Sequence, residues 1–261
     1  MQPVKPVTVE PVRPNAGIEA SYRRALDKLI ADMQASVEYW LVAAYRANEP
    51  ESLAMDESPA RALDARMAQL TRQWQKKFDK IGPEIAKRFV DKVKVRTNLG
   101  FNEAFKKAGF TVKFRMSRAQ NDAIQATLAE NVGLIKSIAS EHLSDIQGMV
   151  MRSVTQGRDI HGLRVELQER YGITRRRAAL ISRDQNNKAT ATIVRVRQRE
   201  AGVTQALWIH SSGGKHPRPS HVAANGKTYE VAKGMKIDGE WILPGELINC
   251  RCVSRAIVPV S

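Results

Sequence analysis

Residues 175–210, RRRAALISRDQNNKATATIVRVRQREAGVTQALWIH, hold the transition on which the fold turns. Up to about Glu200 the apolar residues Ala178, Ala179, Ile181, Ala189, Ile193 and Val196 supply one side of a long helix, with Thr174 in front of it as a cap. After Gly202 the pattern changes to short apolar pieces at 206–210, 228–231, 240–243 and 253–258. Gly213-Gly214, Asn225-Gly226, Asp238-Gly239 and Pro244-Gly245 separate them and read as turns between short strands. Asn225-Gly226 carries the strongest individual hairpin signal, because both residue types accept positive φ.

Upstream the chain reads as helix. Ile18, Tyr22, Leu26, Leu29, Met33, Val37, Trp40, Leu41 and Ala44 recur at three- and four-residue intervals and predict one amphipathic helix. A second opens at Pro59 and carries Leu63, Met67, Leu70, Trp74, Phe78 and Ile81, then Ile85, Phe89 and Val93 beyond a kink or break at Gly82-Pro83. Residues 109–115, GFTVKFR, alternate like a short strand or an extended connection. Further helices are expected from Ser117 to about Glu130, from Leu134 to about Val154, and between Gly157 and Gly172. Pro3, Pro6, Pro11 and Pro14 make residues 1–16 an extended arm, suited to ordering against a partner subunit.

The expected class is therefore α+β: a predominantly helical N-terminal and central region, then a small C-terminal β-rich segment packed on a long helix. The expected division is an arm at 1–16, a helical domain at 17–115 and a second domain at 116–261, with helices to about 200 and strands within 204–258.

Charge narrows the class of partner. The 261 residues include 42 Lys and Arg against 27 Asp and Glu, a net charge of +15. The excess sits in two zones: 72–118 has 14 basic against 4 acidic residues, and 175–261 has 15 against 6. Localised positive charge implies an acidic partner, and Lys76, Lys77, Lys92, Lys94, Arg175, Arg176 and Arg177 are the candidate contacts. Aromatic residues make up 6%, too few for a platform of stacked bases. No apolar run is long enough for a membrane span, and the N-terminus has no apolar core of an export signal.

The two cysteines form Cys250-Arg251-Cys252, too close for an unstrained disulfide. Two thiolates with His216 and His221 would complete a tetrahedral zinc site, one structural Zn2+. The alternative is a pair of small reduced core residues. Trp208 and Trp241 read as packing anchors, and Arg218, Glu246 and Arg251 as an internal ion-pair network. There is no phosphate loop with its lysine, no HExxH and no serine elbow. The chain is accordingly expected not to be an enzyme, and a metal hydrolase built around the C-terminal histidines is the alternative.

Three pieces in order resemble one family. They are the helix carrying Arg183-Asp184-Gln185; Trp208 followed by Arg218-Pro219-Ser220-His221 and Asn225-Gly226; and Pro244-Gly245-Glu246 leading to Asn249-Cys250-Arg251-Cys252. This arrangement resembles the phage Mu F-like head morphogenesis family, the family of the SPP1-type minor head proteins. The resemblance runs from near Asn131 to the C-terminus and marks Arg183, Asp184, Trp208, Arg218, His221, Gly226, Gly245, Glu246, Cys250, Arg251 and Cys252 as motif residues. One departure is visible: relatives carry an acid and paired arginines before the histidine, where this chain reads Gly213-Gly214-Lys215-His216-Pro217-Arg218.

The resemblance implies a low-copy virion protein at the capsid interior or portal vertex, present in the host cytoplasm during assembly. Its implied partners are the portal protein, major capsid or scaffolding protein, and packaged DNA. A non-specific DNA-binding virion protein and a virion-delivered zinc nuclease are the rival readings.

Overall fold

The computed structural model describes residues 6–47, 59–112, 117–155, 160–214 and 216–259. Four long helices dominate: α1 (Ala16–Ala47), α2 (Pro59–Lys107), α3 (Arg118–Thr155) and α4 (Ile160–Glu200). They are followed by β2 (Gln205–Ile209), α5 (Pro219–Ala223), β3 (Thr228–Glu230), β4 (Met235–Ile237), β5 (Glu240–Ile242) and β6 (Val253–Val258), and β1 (Val7–Thr8) precedes them all. The class is α+β and mostly helical.

Two compact units share this chain, each discontinuous in sequence. One comprises Ser21–Ala86 and Glu130–Ile181 and is wholly helical in its described residues. Its core is the expected stripe of Tyr22, Leu26, Leu29, Met33, Val37 and Leu41, joined by Leu63, Met67, Leu70, Trp74 and Phe78 of α2. Trp40, read as part of that stripe, is exposed, with the Arg66 guanidinium over its ring. Ile135, Ile138, Leu143, Ile146, Leu163 and Leu167 complete the interior.

The other unit comprises Met1–Ala20, Lys87–Ala129 and Ser182–Ser261. A four-stranded antiparallel sheet runs in the order β1-β6-β2-β3, with β6 and β2 paired from Gln205↔Ile257 to Ile209↔Val253. A β4–β5 hairpin lies beside it. Val9, Ala206, Trp208, Tyr229 and Ala256 from the sheet region share one core with Phe101 and Phe105 of α2. The helix α4 reaches the same sheet, since Ser254 on β6 donates to the Gln198 side chain at 3.0 Å. The sequence anticipated packing on α4 and missed the end of α2. Gly202 stops α4: its φ of 73° lets the Val203 N–H return to Gln198 O at 2.9 Å, and β2 begins three residues later.

Several sequence expectations are corrected. α3 is a single helix through Gly133, and α4 is a single helix through Gly172. Phe110–Val112 are not strand, and 113–116 lie outside the described residues. The Phe110 N–H instead closes the end of α2 on Phe105 O. Asn225-Gly226 does not join two strands by a two-residue loop; it follows α5, and the Asn225 side chain accepts the His210 N–H. Within the described part of the arm, Val7 and Thr8 pair with Val258 and Ile257 of the chain's own sheet. Trp241 is half exposed, with Lys233 over its ring at 3.9 Å.

Candidate functional site

The C-terminal cysteines stand on a turn that α4 holds from below. Glu246 Oε2 accepts the Leu243 N–H at 2.7 Å, and the Cys250 N–H returns to Leu247 O at 2.9 Å. Asn249 adopts φ 60°, a conformation asparagine tolerates better than most residues, and α4 grips it twice. Arg183 Nε donates to Asn249 Oδ1 at 3.2 Å, and Asp184 Oδ1 accepts the Asn249 backbone N–H at 2.5 Å. Asp184 is also paired with Lys188 at 3.3 Å. Gly245, at φ 82°, brings the turn against α4 so closely that a Cβ there would stand 2.7 Å from Ala191 Cβ.

His221 arrives from α5, whose first turn is tied to the β4–β5 hairpin by Ser220 Oγ donating to Asp238 Oδ2 at 2.7 Å. The imidazole is buried edge-to-face against Trp208, with ring centroids 5.2 Å apart. Its Nδ1 lies 3.5 Å from Cys250 Sγ and 3.7 Å from Cys252 Sγ. Both cysteines are free and buried. The Cys252 thiol holds the Cys250 thiol down to about 5, helped by the backbone N–H groups of Cys252 and Gly245. Cys252 is pushed up by the same partnership and by burial.

A cleft of about 550 Å³ opens over this cluster, bounded by His210, His216 and the arginines Arg183, Arg218 and Arg251. Arg218 donates to Ile248 O at 3.0 Å and Arg251 to Gly213 O at 2.6 Å. The expected ion-pair network of Arg218, Glu246 and Arg251 is thus replaced by contacts to backbone. Of the four expected metal ligands, His221, Cys250 and Cys252 come together, with ligand atoms all within 4.8 Å of one another. His216 is exposed on the cleft wall and stays outside that cluster.

The geometry now has a family context. Residues 144–255 match the model of the phage Mu protein F like family. This segment is similar to the Mu F-like family. It contains every residue assigned above to the cysteine turn, and so the sequence motifs correspond to one physical construction. An uncharacterized protein of Haemophilus influenzae is 28% identical over 259 residues, which is 95% of this chain and 55% of that protein. The chain thus spans about half the length of that relative. No solved structure matches. No helix among the described residues is long and apolar enough to cross a membrane.

The basic residues outside the cleft are dispersed. Arg175 pairs with Asp27 at 3.5 Å, and Arg177 pairs with Glu141 and donates to Ser137 Oγ. Lys94 pairs with Asp91 at 3.5 Å, and Lys77 lies over the Trp74 ring at 4.1 Å. Arg176, Lys76 and Lys92 are exposed. The arginine triplet lies in the middle of α4, and Thr174, read as the cap in front of this helix, lies inside it. Sequence reading missed Asn249 as the residue that bonds Arg183 and Asp184; its position before Cys250 was the available signal.

Proposed function

We propose that the protein is a phage minor head protein that binds the portal or procapsid and assists head assembly, with contact to packaged DNA. The match of residues 144–255 to the Mu F-like family carries this reading. The +15 charge supports it, since a virion protein near packaged DNA meets a dense array of phosphates. Non-specific attraction of that kind is salt-sensitive and does not demand one continuous groove, consistent with the dispersed cations. The role proposed is structural, at the capsid interior or portal vertex.

The test is retention of the purified protein by its own phage's portal ring at roughly 0.3 M salt, where exposed charge pairs are strongly screened. Specific retention is expected. Binding to DNA with no retention by the portal would replace this reading with that of a DNA-binding virion protein.

A further inference from the structure

The cysteine turn gathers three soft-metal ligand atoms within 4.8 Å of one another, two of their separations at the spacing an ion would impose. Zinc takes thiolate sulfur at about 2.3 Å and imidazole nitrogen at about 2.0–2.1 Å, so two such ligands at a tetrahedral angle stand about 3.6 Å apart. The two sulfur–nitrogen separations here are 3.5 and 3.7 Å. Nδ1 has at most one proton to donate, whereas an ion at the centre draws both sulfurs toward it at once. Burial adds to the argument: His221 and Cys250 are 3% exposed and Cys252 is 4% exposed, so this convergence is a product of packing and not of mobile surface side chains.

We propose that His221 Nδ1, Cys250 Sγ and Cys252 Sγ hold one zinc-class ion, with the fourth coordination position open to the arginine-lined cleft. Three protein ligands and one open position distinguish such a centre from a closed four-ligand structural site. Binding takes both cysteines as thiolates and releases their thiol protons to solvent, and the two thiolates balance the charge of the divalent ion. Arg183, Arg218 and Arg251 on the cleft wall favour water or a small anion as the fourth ligand. The assignment is independent of head assembly and is tested without a portal.

The experiment uses the full chain purified from zinc-supplemented cells, with metal and free thiols measured on the same sample. One zinc per chain is expected, lost in Cys250→Ser, Cys252→Ser and His221→Ala and retained in His216→Ala. The cobalt-substituted protein should show thiolate-to-metal charge transfer, and its visible bands should shift when inorganic phosphate is added. Native protein with no metal and two freely titrating thiols overturns the site. Full zinc retention in Cys250→Ser overturns the ligand set. Loss of zinc in folded His216→Ala, with no response to phosphate, overturns the open position. Because a cysteine variant can unfold the turn, the stoichiometry and cobalt spectrum of the unsubstituted protein decide the question first.

Discussion

The Asp184 carboxylate of α4 accepts the backbone N–H of Asn249 at 2.5 Å, across 65 residues of chain. This bond fixes the residue immediately before Cys250, and Arg183 holds the same residue by its side chain. Asp184→Ala leaves the Asn249 N–H without its acceptor and is expected to cost about 1.5–3 kcal/mol, the range for a hydrogen bond to a charged group. Cys250 should also become more reactive toward a thiol reagent as the turn loosens. Denaturant unfolding and thiol titration check the two effects; unchanged values in both would remove Asp184 from this role.

Gly245 packs the turn directly against α4 at Ala191. Alanine there meets two separate obstacles, φ of 82° and a Cβ 2.7 Å from Ala191 Cβ. Gly245→Ala is expected to destabilise by more than about 2 kcal/mol, combining left-handed backbone strain with steric overlap. Ala191→Gly removes only the overlap, so the double variant should recover part of the loss. Additive effects in that cycle would show that the two residues do not collide.

The helical stripes were readable in the sequence from their three- and four-residue spacing, and four of the strands from short apolar pieces between turn residues, although burial alternates only in β2 and β3 of those four. β6 at Val253–Val258 coincides with its expected apolar run. β4, Met235–Ile237, was missed since Met-Lys-Ile gives a single step of alternation, too short to stand out as a strand. The unbroken helices at Gly133 and Gly172 have an energetic reason. One glycine costs a helix about 1 kcal/mol, less than is gained by burying the flanking Ile135, Ile138 and Leu167. At the site, Cys250 and Cys252 were legible as a pair. The choice between His216 and His221 was not, because α5 alone carries His221 inward, and no local pattern encodes that.

The three arginines at 175–177 are adjacent in sequence but differ in surroundings. Arg177 reaches Glu141 and Ser137 on α3, whereas Arg176 is exposed. Arg177→Ala is expected to lower stability by up to about 1 kcal/mol, and Arg176→Ala to leave it within about 0.5 kcal/mol. Unfolding curves of the two single variants give the comparison. A larger loss for Arg176 would contradict the pairing described for this triplet.

His142 makes the helical unit sensitive to acid. It is fully buried, with Nε2 3.0 Å from Gln34 Oε1 and Nδ1 2.9 Å from Thr174 Oγ1. Gln34 uses its amide N–H groups on Glu38 and Leu167 O, so its Oε1 accepts and His142 Nε2 donates. Nδ1 faces the Thr174 hydroxyl, which also donates to Arg170 O at 3.0 Å. Burial, and secondarily the Arg170 charge, hold His142 down to about 4 against the opposing pull of Asp145. In the unfolded chain the ring titrates near its ordinary value of about 6.5. Between these values the unfolded state binds a proton that the folded state refuses, so stability rises with pH across the window. The contribution is present above about pH 6.5 and falls away toward about pH 4, by on the order of 3 kcal/mol. His142→Gln has no titrating ring and should lose less stability than the unsubstituted protein between about pH 7 and pH 4.5. Parallel stability profiles for the two proteins would mean that His142 does not carry this dependence.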